Sequence, residues 1–408
     1  MYAFLNGWRV LESSAFVAAP LAGMTLAQLG CEVIRLDPPG GGLDANRWPV
    51  DHAGNSLYWA GLNKGKKSIV VDVRKPEGAE LAQALATAAG AEAGLLLTNL
   101  PLRGWLDEPA LRALRGDLIL AQVKGNRDGS SAVDYTVNCA TGFPLATGPE
   151  GWGMPVNNVL PAWDAITGVT AALGIVVAQM QRRVDGQGRL LSVALSDVAI
   201  AMAGNLGHIA EAEINGASRP RLGNAVYGAF GADVAAVDGR RLMVVAITLR
   251  QWRALGNATG LAGRFTALGA LLGLDLDREG DRFQAREAIS LLLRPWCATR
   301  TMQEIGAAFD AAGVCWGQYQ SFAEMVAHDP RCSAANPMLQ QVMQPGIGQY
   351  LMPGSPLDFA GVARDSVAPA PRLGQHTEEV LAGVLNLPGH AIAHLHDSGV
   401  VACVGSTL

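Results

Sequence analysis

The sequence predicts an α/β protein, a parallel sheet covered by helices on both faces, with a smaller α+β unit in the second half of the chain. Three observations carry this expectation. Strand and helix patterns alternate over roughly the first 200 residues, as they do where a sheet is buried on both faces. Near residue 220 the alternation gives way to a hairpin followed by helices. A stretch rich in Pro and Gly, Pro337 to Pro371, then leads to one more helix.

Val10–Glu12 reads as a short apolar strand. Pro20 stands in a first helical turn, Leu21–Leu29 has helical apolar spacing, and Gly30 stops it. Val33–Leu36 is the second strand and Ser68–Val73, β-branched and alternating, the third. Pro76–Ala89 reads as helix, with Pro76 at its start and Glu77 and Glu80 in its first turn. Leu95–Thr98 and Leu118–Val123 are buried strands. Phe230–Val237 and Arg241–Ile247, joined by Asp238-Gly239, form a hairpin. Helical patterns follow at Leu249–Leu255, Arg282–Leu293 and Thr301–Ala312, and the last is at Thr377–Leu385. The expected divisions are 1–215, a small α+β domain over 225–325, and a return segment over 330–408.

Half of the 408 residues are hydrophobic, enough for a large core or two domains. The formal charge of −5, with no Lys/Arg run longer than two, argues against nucleic acid as a partner. The opening MYAFLNGWRV has no basic stretch followed by an apolar one, so a secretory signal is not expected. The apolar run Ala165–Gln181 is short for a membrane span and reads as a buried helix. Six scattered cysteines without a C-x-x-C pair suit free thiols in the cytoplasm better than disulfides or zinc.

The first β-α turn, Ser13 to Pro20, lacks G-x-G-x-x-G, which disfavours a nicotinamide oxidoreductase. In Gly61–Ser68, Lys64, Lys66 and Lys67 stand beside a strand start, and Arg35 and Lys124 end strands of the same sheet. They read either as a phosphate cradle at the carboxyl ends of the strands or as a solvated basic loop. Asp164 opens an apolar helix. It is either an N-cap or a carboxylate nucleophile favoured by the helix dipole, and spacing alone favours the cap. No His lies between His52 and His208, so a His–Asp proton-transfer pair at Asp164 needs a remote partner. His390, His394 and His396 read as surface residues without metal partners, and no metal site is expected.

The chain resembles the class III CoA transferases over nearly its whole length. The resemblance rests on Phe16–Pro20, Leu26–Arg35, Asn63–Ile69, Thr98–Leu100, Val123–Gly125, Trp163–Gly168, Gly223-Asn224, Asp329-Pro330 and Pro371–Thr377. Arg127–Asn138, Arg219–Gly231 and Gln344–Phe359 resemble one branch of that family, which moves CoA within a single acyl group. The resemblance implies an interlocked homodimer whose Rossmann-like large domain is built from both chain ends. It implies an acyl-CoA substrate, no cofactor beyond that CoA, and Asp164 as the nucleophile. It places CoA at Phe16, Val17, Ala18, Arg35, Leu62, Asn63, Lys64, Asn99, Leu100, Lys124 and Gly125. Arg47 and Arg127, with Asn126, are candidates for a free carboxylate, because a guanidinium fork matches it. The chain departs from the family in two places. Ala225–Gly228 replaces a Gly-rich loop, and Asn126 replaces an aromatic residue.

Overall fold

The computed structural model describes residues 1–403. They divide into two compact units, one of residues 1–141, 158–207 and 330 onward, the other of 142–157 and 208–329.

Along the chain the first unit holds β1 (Arg9–Ser13), α1 (Ala18–Gln28), β2 (Glu32–Asp37), α2 (Leu57–Leu62), β3 (Lys67–Val71), α3 (Pro76–Ala86), β4 (Leu95–Thr98), α4 (Glu108–Leu114), β5 (Ile119–Lys124) and α5 (Asp134–Cys139). After α6 (Phe143–Ala146), which belongs to the second unit, come α7 (Ala162–Asp185), β6 (Arg189–Ala194) and α8 (Leu195–Asn205). The second unit continues with α9 (His208–Asn215), β7 (Phe230–Ala235), β8 (Arg241–Ala246), α10 (Leu249–Thr259), α11 (Ala262–Leu272), α12 (Glu279–Gln284), α13 (Arg286–Ala298), α14 (Met302–Ala312), β9 (Cys315–Gln318) and α15 (Phe322–His328). The first unit resumes with β10 (Leu339–Gln344), β11 (Gly348–Pro353), α16 (Thr377–Leu385), α17 (Gly389–Asp397) and β12 (Val401–Ala402).

The large sheet runs β12-β3-β2-β1-β4-β5-β6. Its six long strands are parallel. Apolar runs such as Leu95-Leu96-Leu97 are buried because helices cover both faces. Strand order reverses between β1 and β4, so a crevice opens at their carboxyl ends. The purely parallel expectation is corrected at one edge, where β12 pairs antiparallel with β3. Thr377 ties that edge down: its hydroxyl accepts the Val70 N–H at 3.2 Å and donates to the Ala402 carbonyl at 2.8 Å. The segment expected to be merely extended contains the antiparallel β10–β11 hairpin.

Helix α7 is longer than its sequence pattern, and by length and composition it would suffice to cross a membrane. Within this unit it packs against α1. Gly168 permits the close approach, since a Cβ there would lie 2.7 Å from the Ala18 carbonyl oxygen.

The second unit has its own core. The antiparallel β7-β8-β9 sheet packs Phe230, Leu242 and Val244 with Trp252, Ile289, Ile305 and Phe309 of the helices. Residues 142–157, expected in the large domain, belong here. The Arg221 guanidinium donates to the carbonyls of Leu145, Trp152 and Met154, which fastens that excursion to the segment after α9.

Candidate active site

The crevice is clamped by side chains at the end of β4 that bond the backbone leaving β1. Asn99, just after β4, accepts the Ala15 N–H at 3.0 Å and donates to the Ala15 carbonyl at 2.7 Å. Thr98 donates to the Ser13 carbonyl and accepts the Leu100 N–H. Phe16 is left-handed at φ 69°, an unfavourable state for a residue with a Cβ. Its N–H donates to Asp44 at 3.1 Å, which helps hold it there. Val17 and Ala18 then start α1.

Arg35 is fully buried, and every nitrogen of its guanidinium is engaged. It bonds Asp37, Asp44, Asn63 and the Ser14 carbonyl, with Glu12 3.5 Å away. The carboxylates raise its pKa although burial opposes them. The expectation that Arg35 meets the ligand is therefore revised: it binds together the three loops that surround the crevice.

The three lysines separate. Lys66 is buried against Glu12 (2.8 Å), the Pro20 carbonyl and Asn63. Lys67 pairs with Glu32 and Glu379. Lys64 lines a cleft. Its ammonium donates to the Gly61 carbonyl, and desolvation lowers its pKa to about 8. The solvated-loop reading fails for the buried Lys64 and Lys66, and of the three lysines Lys64 keeps the phosphate reading.

That cleft, about 770 Å³, is lined by Val17, Tyr58, Leu62, Lys64, Pro161 and Tyr350, among others. Its wall is mostly apolar, with one ammonium, which suits a thioester arm ending in anionic groups. The structure thus gathers Val17, at the start of α1, with Leu62 and Lys64, at and just after the end of α2. Tyr58 and the β10–β11 turn are lining residues that the sequence did not single out as a site; the Pro-Gly context hid the hairpin.

Asp164 is not the N-cap. Helix α7 begins at Ala162 and Asp164 sits in its first turn. Asp134 of α5, 2 % exposed, supplies the cap, accepting the N–H groups of Trp163 (2.7 Å) and Asp164 (3.0 Å) on one oxygen. The Ala162 N–H goes to the Leu160 carbonyl and that of Ala165 to Pro161. The unpaired donors of a helix start are thereby used up. Among the described residues nothing donates a hydrogen bond to the half-buried Asp164 carboxylate. Burial first, then the charge of Asp134, raise its pKa to about 6, against the pull of Arg47. The expected stabilisation by the helix dipole is outweighed.

Arg47 lies 5.4 Å from the Phe16 ring centroid and 5.3 Å from that of Tyr58. Its charge and that of Asp164 both act on Tyr58, whose pKa burial pushes to about 12. Arg127 is placed differently: it is 84% exposed and pairs with Asp197 at 2.9 Å. Asn126 bonds Ser130 within the same exposed turn. Lys124 ends β5, and Gly125 follows it at a spot where a Cβ would collide with Ala132. Gly168 is inside α7, where its N–H belongs to the helix ladder and is not free to stabilise an oxyanion. His396, read as having no metal partner, has Cys403 Sγ at 3.4 Å and Glu378 Oε1 at 3.6 Å. Chain folding assembled a trio that sequence spacing concealed.

The pattern of CoA-transferase family III matches residues 5–377. The 2-methylfumaryl-CoA isomerase of Chloroflexus aurantiacus is 56% identical over 403 residues, 98% of each chain. The succinyl-CoA–D-citramalate CoA-transferase of the same organism is 28% identical, over 97% of this chain and 98% of its own. Among solved structures, a CAIB/BAIF family protein from Brucella suis has the same fold, with a TM-score of 0.75 at 24% identity over 94% of this chain and all of that one.

Proposed function

We infer the reaction from the family: the chain belongs to CoA-transferase family III, whose members act on CoA thioesters. It is a CoA transferase that works within one molecule, moving CoA between the C1 and C4 carboxyls of mesaconyl-CoA. The reaction converts 2-methylfumaryl-CoA into 3-methylfumaryl-CoA. The observation that carries this is 56% identity to an isomerase of that name over almost the whole of both chains.

For the site, we propose that Asp164 attacks the C1 thioester carbonyl and expels CoA thiolate, leaving an aspartyl–acyl anhydride. The thiolate attacks the aspartyl carbonyl, which gives an aspartyl-CoA thioester and a bound dicarboxylate. The C4 carboxylate then attacks that thioester and again releases the thiolate. The thiolate takes the C4 acyl carbon from the second anhydride and restores the Asp164 carboxylate. Dividing the exchange into covalent steps lowers each barrier, and retaining the dicarboxylate removes the need for an outside acceptor. Val17, Leu62 and Lys64 would hold the CoA arm. Arg47, rather than the Asp197-paired Arg127, would hold the free carboxylate.

Mesaconyl-C1-CoA incubated alone with the protein is expected to yield mesaconyl-C4-CoA, separable by chromatography. Transfer only after a second acid is added would move the enzyme to intermolecular exchange. In the same assay Arg47→Ala is expected to lower kcat/KM about 10²-fold. An unchanged value would remove Arg47 from the site.

We further propose that a second copy covers the outer face of α7. Val169, Leu173, Val177, Met180 and Val184 form an exposed apolar stripe at helical spacing. The resemblance to a dimeric family names the occupant. Sedimentation at twice 42.6 kDa is the expected result, and a monomer at micromolar concentration would rule it out. The six cysteines form no disulfide, which is compatible with a cytoplasmic setting.

A further inference from the structure

We propose that Asp134 is a positioning residue for the nucleophile: by capping α7 in place of Asp164, it leaves the Asp164 carboxylate without hydrogen bonds and available to attack. The inference rests on the nucleophile reading given above.

A carboxylate in the first turn of a helix normally turns back onto the free N–H groups of that turn. A carboxylate so bonded is a weaker nucleophile, because its lone pairs are shared with donors that attack would have to displace. Here those donors are already taken. One oxygen of Asp134 accepts from both Trp163 and Asp164, and the carbonyls of Leu160 and Pro161 account for the neighbouring N–H groups. Trp163 is itself fixed from α5, its indole N–H donating to Asn138 at 3.1 Å. The two α5 side chains therefore grip α7 immediately before the carboxylate that must be aimed. Asp134 is 2 % exposed, so it acts from within the protein and competes with no solvent.

The charged or titratable groups that act on Asp164 are Asp134 from α5 and Arg47 and Tyr58 from the loop and helix on the other side. Asp134 repels the charged form and Arg47 favours it. Loss of the Asp134 charge lowers the pKa of Asp164, and so does the return of two N–H donors. The acid limb of kcat/KM, expected near the pKa of about 6 in the unaltered protein, then moves to lower pH.

Two variants separate charge from cap. Asp134→Asn keeps a carbonyl oxygen that can accept both N–H groups but removes the charge. It is expected to move the acid limb down by about half a unit or more, with the high-pH plateau reduced less than about tenfold. Asp134→Ala removes both, and Asp164 then binds the freed N–H groups. Its plateau is expected to fall about 10²-fold, with a larger downward shift and little change in KM. If Asp134→Ala keeps both the plateau and the acid limb of the unaltered protein, the proposal is wrong and Asp134 merely supports the helix. Asp164→Ala, run alongside, keeps the two readings apart. If it retains activity the nucleophile assignment fails. If it is inactive while both Asp134 variants keep the original profile, only the present inference fails.

Discussion

Asp164→Asn is expected to lose turnover by about 10³-fold or more while it still binds the acyl-CoA. The reason is chemical rather than structural. The substitution keeps the shape of the side chain in the first turn of α7, where the backbone N–H groups are satisfied by Asp134 and not by residue 164. An amide in that position cannot form the anhydride. Because the original side chain has no bonded partner among the described residues, its removal strands no buried donor, and the fold should survive. Asp164→Ala serves as the second variant, and its free energy of unfolding should match to within about 1 kcal/mol. A direct check is available in the unaltered protein. Hydroxylamine added during turnover should convert an aspartyl thioester at position 164 to a hydroxamate, visible by mass spectrometry of the corresponding peptide. Full activity in either variant, or a hydroxamate at a different residue, would place the nucleophile elsewhere.

The parts of the molecule that were legible in the sequence are those whose signal is local. β4 is three consecutive leucines and a threonine, and its limits agree with the expected Leu95–Thr98. α16 keeps its expected limits because Glu378 and Glu379 begin it and Asn386, in the left-handed region, ends it. The hairpin of β7 and β8 follows from alternation around Asp238-Gly239. What was hidden depends on partners distant in the chain. β12 is only two residues long and becomes a strand because Val71 and Val70 are there to pair with it. Helix α7 starts before its aspartate because Asp134 reaches its N–H groups from 30 residues away. Residue type suggested a capping role for Asp164, and the fold gave that role to another aspartate. The same holds for charge. Arg35 looked like a ligand contact at a strand end, and nothing nearby announced that Asp44 and Asn63 would converge on it.

Arg35→Met is expected to destabilise the protein by about 3–5 kcal/mol, seen as a lower urea midpoint for the unit that contains the large sheet. Methionine fills much of the same space, so the effect is not mainly one of volume. The guanidinium is enclosed with Asp37, Asp44 and Glu12, all buried, and each carboxylate has been withdrawn from water on the strength of that one cation and Lys66. Removing it leaves Asp37 and Asp44 close together without compensation, and burial already pushes the Asp37 pKa up even with Arg35 present. Arg35→Lys should recover only part of the loss, because an ammonium cannot reach Asp37, Asp44 and Asn63 at once with planar geometry. The network also has a functional end. Asp44 accepts the Phe16 N–H, and Asn63 precedes Lys64 in the cleft, so a loosened network should raise KM for the acyl-CoA as well. The two effects should appear together across the Met and Lys variants. If the midpoint falls while KM stays constant, Arg35 supports the fold without shaping the cleft. If the midpoint does not move, the buried cluster is not what holds these loops.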